Sequence, residues 1–195
     1  MNATGFVIAG GKSSRMGQDK AWMQIQGEPM IRRVIRELAP VASSTAIIAN
    51  APEYSSLGLP VYADSLIGIG PIEGIRTALS NCPTECALLV ACDMPFVTSD
   101  LLALLLKKLP GFDVVAPKDL DGKIEPLCAV YTKNVLPVVT DLIDTGHRKP
   151  SRIYECVRTN FLPFSALDHL PGATTFFKNV NSPEDYAEAI GLAQR

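Results

Sequence analysis

The 195-residue chain has no apolar run long enough to cross a bilayer; its longest, such as Cys86 to Cys92 and Leu101 to Leu106, fall far short of the ~20 residues that a spanning helix needs. The N-terminus shows no charged region followed by a long apolar stretch, so a cytoplasmic protein is expected. Charge of one sign is also lacking: 18 Lys and Arg against 20 Asp and Glu give a net charge of −2. Without a basic excess, neither nucleic acid nor an anionic membrane is an expected partner, whereas a small anion held by a local group of cations is allowed. The five cysteines are an odd number. Cys82 and Cys86 form a C-x-x-x-C pair without a second Cys or His pair at ligand spacing, which argues against zinc and for reduced core thiols. Histidine is scarce, and neither His147 nor His169 is needed as a general base. The two commonest nucleotide loops are absent as well. Gly5 to Ser13 carries one glycine too many for G-x-x-x-x-G-K-[ST], and G-x-G-x-x-G does not occur. There is no internal repeat and no low-complexity segment. With 47% apolar residues and this length, a single domain spanning residues 1–195 is expected.

What is present is an alternation of strand-like and helix-like segments, which predicts an α/β fold with a mostly parallel sheet covered by helices on both faces. Strands are expected from Gly5 and over Thr45 to Ala49, Val61 to Ala63, Ala87 to Ala91 and Asp113 to Pro117. Ala87 to Ala91 is wholly apolar, as at the centre of a parallel sheet. Helices are expected over Glu28 to Ala39, with Pro29 in the first turn, and from Glu73 to about Asn81. Others are expected over Ser99 to Leu109 and around Val135 to Ile143. Asp121-Gly122, between Val114-Val115-Ala116 and Leu127 to Tyr131, predicts a hairpin or other antiparallel excursion. Ser182-Pro183-Glu184-Asp185 reads as a helix start with Ser182 as cap and Pro183 in the first position.

The stretch G-F-V-I-A-G-G-K-S-S-R-M-G-Q-D-K, Gly5 to Lys20, carries the chemistry. An apolar strand runs into Gly10 and Gly11, whose missing Cβ atoms let phosphate approach the backbone amides. Lys12, Arg15 and Lys20 then supply cations within nine positions. A turn with a solvated face would share the glycines, but the cation density before any carboxylate favours a nucleotide loop of a third type. In open α/β sheets ligands bind beyond the carboxyl ends of the strands. The residues ending the predicted strands are Gly10 and Gly11, Asn50, Asp64 and Asp93, a set suited to phosphate, ribose or base, and a divalent cation. Asp93, following the central strand, is placed to hold Mg²⁺, which takes one or two carboxylates together with phosphate oxygens and water. Gly146-His147-Arg148-Lys149-Pro150-Ser151-Arg152 is a compact basic loop. It reads equally as a site for an acceptor's phosphate or a partner, and as cations at the C-terminus of a helix.

The string V-I-A-G-G-K-S-S-R-M-G-Q-D-K, followed in order by A-D-S, G-P-I-E-G-I, A-C-D-M-P-F and N-V-N-S-P-E-D, resembles the molybdenum cofactor guanylyltransferase family from Gly5 to about Glu188. The resemblance implies a Rossmann-like three-layer α/β/α nucleotidyltransferase domain. It also implies Mg²⁺-dependent transfer of GMP from GTP to the terminal phosphate of molybdopterin or Mo-molybdopterin, with release of pyrophosphate. By the same resemblance Ile8, Ala9 and Gly10 line the guanine and phosphate site, and Lys20 binds the phosphates. Asn50 and Asp64 make further GTP contacts, Asp93 binds nucleotide and Mg²⁺, and Arg15 lies near the triphosphate. Asn179 and Asn181 form a polar pair near the active site, on the acceptor side with Arg148 and Lys149. Partners of the implied type are GTP, molybdopterin, and molybdenum-insertion or molybdoenzyme-chaperone proteins. Open alternatives are a cytidylyltransferase acting on the same cofactor, a sugar-phosphate nucleotidyltransferase, a P-loop-like NTPase and a non-catalytic nucleotide-binding regulatory module. Ala9-Gly10-Gly11, where cytidylyl relatives tend to read A-A-G, favours guanine.

Overall fold

A computed structural model of the chain describes residues 2–9 and 19–194. Gly10, Gly11, Lys12 and Arg15, expected in the phosphate loop, lie outside the described residues. In chain order the strands are β1 (Ala3–Ile8), β2 (Gln24–Ile25), β3 (Glu28–Pro29), β4 (Ser44–Ile48), β5 (Val61–Tyr62), β6 (Cys86–Ala91), β7 (Val114–Pro117), β8 (Cys128–Thr132) and β9 (Thr159–Leu162). The α-helices are α1 (Met30–Leu38), α2 (Pro71–Ser80), α3 (Ser99–Lys107), α4 (Leu136–Asp144) and α5 (Pro183–Ala193).

Among the described residues, seven strands form one sheet in the order β5-β4-β1-β6-β8-β7-β9. It is mostly parallel; β8 alone among the described strands of this sheet runs against both neighbours, β6 and β7. The period of two along each strand divides the core. Ala3 and Val7 of β1, with Leu88 and Val90 of β6, pack towards α1 and α3. Phe6, Ala87 and Leu89 pack on the other face, with Ile72, Ile75, Ala78 and Leu79 of α2 and Val139, Leu142 and Ile143 of α4. Two separate cores on two faces make a three-layer α/β/α arrangement, and they explain why β1 and β6 are apolar almost throughout. No described helix is long and apolar enough to cross a membrane.

One expectation needs correction. The first helix does not begin at Glu28: Glu28 and Pro29 pair with Gln24 and Ile25 as a small antiparallel hairpin, and Pro29, in extended geometry, stands at the N-cap of α1 instead of in its first turn. The turn is Gln26-Gly27, both at positive φ, 54° and 77°. The antiparallel excursion occurs as expected, with Val114 opposite Tyr131, and β8 is inserted between β6 and β7. Beyond β7 the sheet gains β9, whose segment Thr-Asn-Phe-Leu gave no strand signal. α5 lies over the small hairpin, where Met23, Ile25, Met30, Val180 and Ala189 form a third buried cluster. Its capping box is complete, with Ser182 and Asp185 each accepting from the other's backbone amide.

Candidate active site

The carboxyl ends of β1, β4, β5 and β6 meet at one edge of the sheet, and a cavity of about 410 Å³ opens there. Its lining brings together Ile8, Ala9, Lys20, Asn50, Asp64 and Asp93. These residues are distant in sequence and adjacent because parallel strands end on the same side. The strand ends are laced by backbone bonds from Ala9 N to Ile48 O (2.8 Å) and from Cys92 N to Ile8 O (3.0 Å). On the helix side, Gly74 lets α2 approach β1: a Cβ there would stand 3.2 Å from Ile8 Cγ2. That approach brings the start of α2, Gly70 and Pro71, into the cavity wall.

Lys20 is presented by local structure. It opens a 3-10 turn, Lys20–Trp22, whose N-cap Asp19 accepts from Ala21 N at 3.0 Å and, through its other oxygen, from the Tyr54 hydroxyl at 2.5 Å. Tyr54 is fully buried; burial first, then the Asp19 carboxylate, raises its pKa far above the ordinary tyrosine value, so it remains a donor. Lys20 Nζ donates to Asp93 Oδ2 at 2.5 Å and to Asn181 Oδ1 at 2.9 Å. Both charged side chains are about 15% exposed, so the pair is shielded from water yet open to the cavity. The other Asp93 oxygen, Oδ1, is buried with no hydrogen-bond partner among the described residues. An orphaned carboxylate oxygen is costly in isolation and suited to a cation.

Asn50 and Asp64 are joined, since Asp64 N donates to Asn50 Oδ1 at 2.9 Å, while Asp64 Oδ1 accepts from the Thr77 hydroxyl at 2.8 Å. Burial raises the Asp64 pKa above the usual carboxylate value against the lowering effect of the Thr77 bond. Cys92, also in the lining, is 3% exposed, and burial followed by the neighbouring Asp93 charge pushes its thiol up to about 12. It is therefore a protonated core thiol and not a nucleophile.

The C-terminal segment completes the far side. Val180 N donates to Asp93 O at 2.9 Å, and Asn181 N donates to Asp185 Oδ2, within the α5 capping box, at 2.9 Å. Asn179 and Asn181 line a second, polar cavity of about 330 Å³, together with Lys123, Glu125 and Lys178. Asn179 Oδ1 is buried there without a partner among the described residues. The Lys20–Asn181 bond thus lies between two cavities. Arg148 and Lys149 line neither. Arg148 Nη1 donates to the carbonyls of Ile143 (2.9 Å) and His147 (3.2 Å), closing the end of α4, and Lys149 is an exposed cap of the 3-10 turn Pro150–Glu155. Asp19, Tyr54 and Glu73 were not among the expected site residues. For Asp19 a signal existed, an Asp at a cap position before Lys20; for Tyr54 there was none.

A strand-end cavity on an α/β sheet, holding a shielded Lys–Asp pair and a carboxylate oxygen open to a cation, defines a nucleotide-handling α/β domain. The MobA-like NTP transferase domain matches residues 5–160, and the chain belongs to that family. It is 36% identical over 191 residues to a probable molybdenum cofactor guanylyltransferase of Carboxydothermus hydrogenoformans, covering 98% of this chain and 96% of the relative. The molybdenum cofactor guanylyltransferase of Vibrio cholerae is 33% identical over 187 residues, 93% of this chain and 88% of the relative. Among solved structures, molybdopterin-guanine dinucleotide biosynthesis protein A from Archaeoglobus fulgidus superposes with a TM-score of 0.84 at 25% identity, covering 98% of each chain. The chain is a nucleotidyltransferase by family.

Proposed function

We propose that residues 1–195 form a single nucleotidyltransferase domain that transfers GMP from GTP to the terminal phosphate of molybdopterin or its molybdenum-loaded form. The acceptor's phosphate oxygen attacks the α-phosphorus, the bond between α-phosphorus and the bridging oxygen breaks, and pyrophosphate leaves. The acceptor oxygen is already anionic near neutral pH, so neither a protein nucleophile nor a general base is required. Catalysis is then positioning and charge neutralisation. The observation that carries this reading is Lys20 held between Asp93 and Asn181 at the junction of two cavities.

In this reading the 410 Å³ cavity takes the nucleotide, with Ile8, Ala9, Asn50 and Asp64 towards the nucleoside and Lys20 towards the phosphates. Gly10, Gly11 and Arg15 belong to the same proposal on sequence grounds. An entering polyphosphate competes with Asp93 for the Lys20 ammonium. Asp93 would hold Mg²⁺, for which its unpartnered Oδ1 is the fitting donor. Mg²⁺ takes one or two carboxylates together with phosphate oxygens and water, and no group of three or more His, Cys, Asp or Glu among the described residues is placed to hold a metal ion by itself. When bound, Mg²⁺ neutralises phosphate oxygens and supports the charge on departing pyrophosphate. The second cavity, with Asn179 and Asn181, takes the acceptor's phosphate end; Arg148 and Lys149 contribute farther along the acceptor or to a protein that delivers it. The buried free thiols suit a reducing, cytoplasmic setting.

Purified protein given GTP, Mg²⁺ and molybdopterin should release pyrophosphate and form the guanine dinucleotide. Turnover with CTP equal to or better than with GTP would refute the guanine assignment and favour the cytidylyl alternative. GTP binding without turnover would favour a regulatory module.

A further inference from the structure

Glu73, in the first turn of α2, is 1% exposed and carries a carboxylate to which the mechanism gives no part. Both its oxygens are engaged. Oε1 accepts from Ser65 N and Leu66 N, each at 3.1 Å, and from Arg76 Nη2 at 2.6 Å; Oε2 accepts from Arg76 Nε at 2.9 Å. With Asp64 N held by Asn50, three successive backbone amides, 64 to 66, are held by side chains of other segments. Consecutive amides converging on an anion form a nest, filled here by the protein's own carboxylate.

Core stability alone does not call for this arrangement. Replacing a buried ion pair by well-packed apolar residues is often neutral or stabilising. What the arrangement does is hold the start of a segment whose later anchor is Ile69, packed against the core on the α2 side. Leu66 and Ile67 are 41% and 82% exposed, yet both line the nucleotide cavity with Gly68. The segment returns to α2 through Gly70, at φ 94°. It is thus an apolar wall fixed at one end by Glu73.

We propose that Glu73, seated by Arg76, is a positioning residue for the nucleotidyl-transfer site: it fixes residues 65 and 66 so that Leu66 and Ile67 form a wall against the flat ring of the nucleotide. The proposal rests on the nucleotide reading of the cavity given above. A lost wall weakens ground-state and transition-state binding alike, so it appears in KM and not in kcat.

The test compares wild type with Glu73→Gln, which keeps size and one acceptor oxygen, and Arg76→Met, which leaves the carboxylate but removes its seat. Amide hydrogen exchange is measured on each without ligand, and GTP kinetics are measured on each. Expected are exchange at Ser65 and Leu66 faster by about tenfold or more, with Cys92 unchanged, and a GTP KM raised about tenfold with kcat within about twofold, a tenfold change being ~1.4 kcal/mol. Arg76→Met should move both readouts in the same direction by less, and it decides the matter if Glu73→Gln does not fold. Unchanged exchange at 65 and 66, or a loss confined to kcat, overturns the proposal. If wild type proves not to bind GTP, the nucleotide reading fails separately, and the positioning role in that site fails with it even where exchange shows the clamp to exist.

Discussion

Replacing Asp93 by Asn separates chemistry from folding more sharply than any other single change in this site. The substitution keeps shape, removes the charge that Lys20 meets at 2.5 Å, and removes the anionic Oδ1 that has no partner. The effect on stability should be small. Breaking a fully buried pair costs about 3–5 kcal/mol, but both side chains here keep about 15% exposure beside a cavity, and Lys20 retains Asn181. Moreover, an orphaned buried acceptor already costs about 1–3 kcal/mol, and the neutral amide relieves part of this. A net loss of about 1–2 kcal/mol is expected, a fall in Tm of roughly 2–8 °C for a domain of this size. The rate should respond differently. One well-aimed charged group is worth about 10²–10³ in kcat, or roughly 2.7–4 kcal/mol of barrier. Two assays separate the effects. Pyrophosphate release gives the rate, and thermal melting with GTP, with and without Mg²⁺, gives the linkage. At about 100 times its Kd, a ligand stabilises wild type by about 2.7 kcal/mol; Asp93→Asn should lose the Mg²⁺-dependent part of that gain. Turnover within tenfold of wild type, or an undiminished Mg²⁺-dependent shift in Tm, would refute the role assigned to Asp93.

Asp64→Asn should bind GTP more weakly but raise the stability of the ligand-free protein near neutral pH. The folded Asp64 pKa is raised by burial, so its favourable contribution is complete at acid pH and is lost as pH rises through the raised value. Denaturant titrations across pH should show the variant's advantage growing upward from the ordinary carboxylate range; an advantage independent of pH would contradict this. Replacing Arg148 and Lys149 together by Ala should raise the acceptor's KM more than that of GTP. An unchanged acceptor KM, with only a slight loss of stability from the uncapped end of α4, would mark this loop as helix closure alone.

The layers of the fold were legible because burial on both sheet faces leaves a mark that single segments carry. Ala87 to Ala91 is apolar at every position because one face packs on α3 and the other on α2 and α4. Pairing order leaves no such mark: nothing within Leu127 to Tyr131 tells that this strand enters between β6 and β7. β9 is half polar because it lies at the sheet's edge, and the hairpin at Gln26-Gly27 lacks the usual Asn-Gly or Asp-Gly turn. Within the site, Asn50, Asp64 and Asp93 could be collected without any relative, since parallel strands must deliver their ends to one edge. Asn179 and Asn181 could not, for it is the segment leading into α5 that carries Asn181 to Lys20 and Asn179 to the second cavity. Glu73 stood in plain view in G-P-I-E-G-I, yet a Glu three residues before an Arg on a helix more often marks a solvated face than a buried clamp.

The bonds from Val180 to Asp93 and from Lys20 to Asn181 also have a meaning for the order in which the protein is made. All seven strands of the main sheet are complete by Leu162, so a nascent chain can assemble the nucleotide cavity's framework before residues 179–181 leave the ribosome. Lys20 and Asp93 would already be paired, but Asn181, and with it the second cavity, would still be missing. A chain interrupted in that interval would hold every strand of the described sheet but lack the Asn181 partner of Lys20 and the lining that Asn179 and Asn181 give the second cavity.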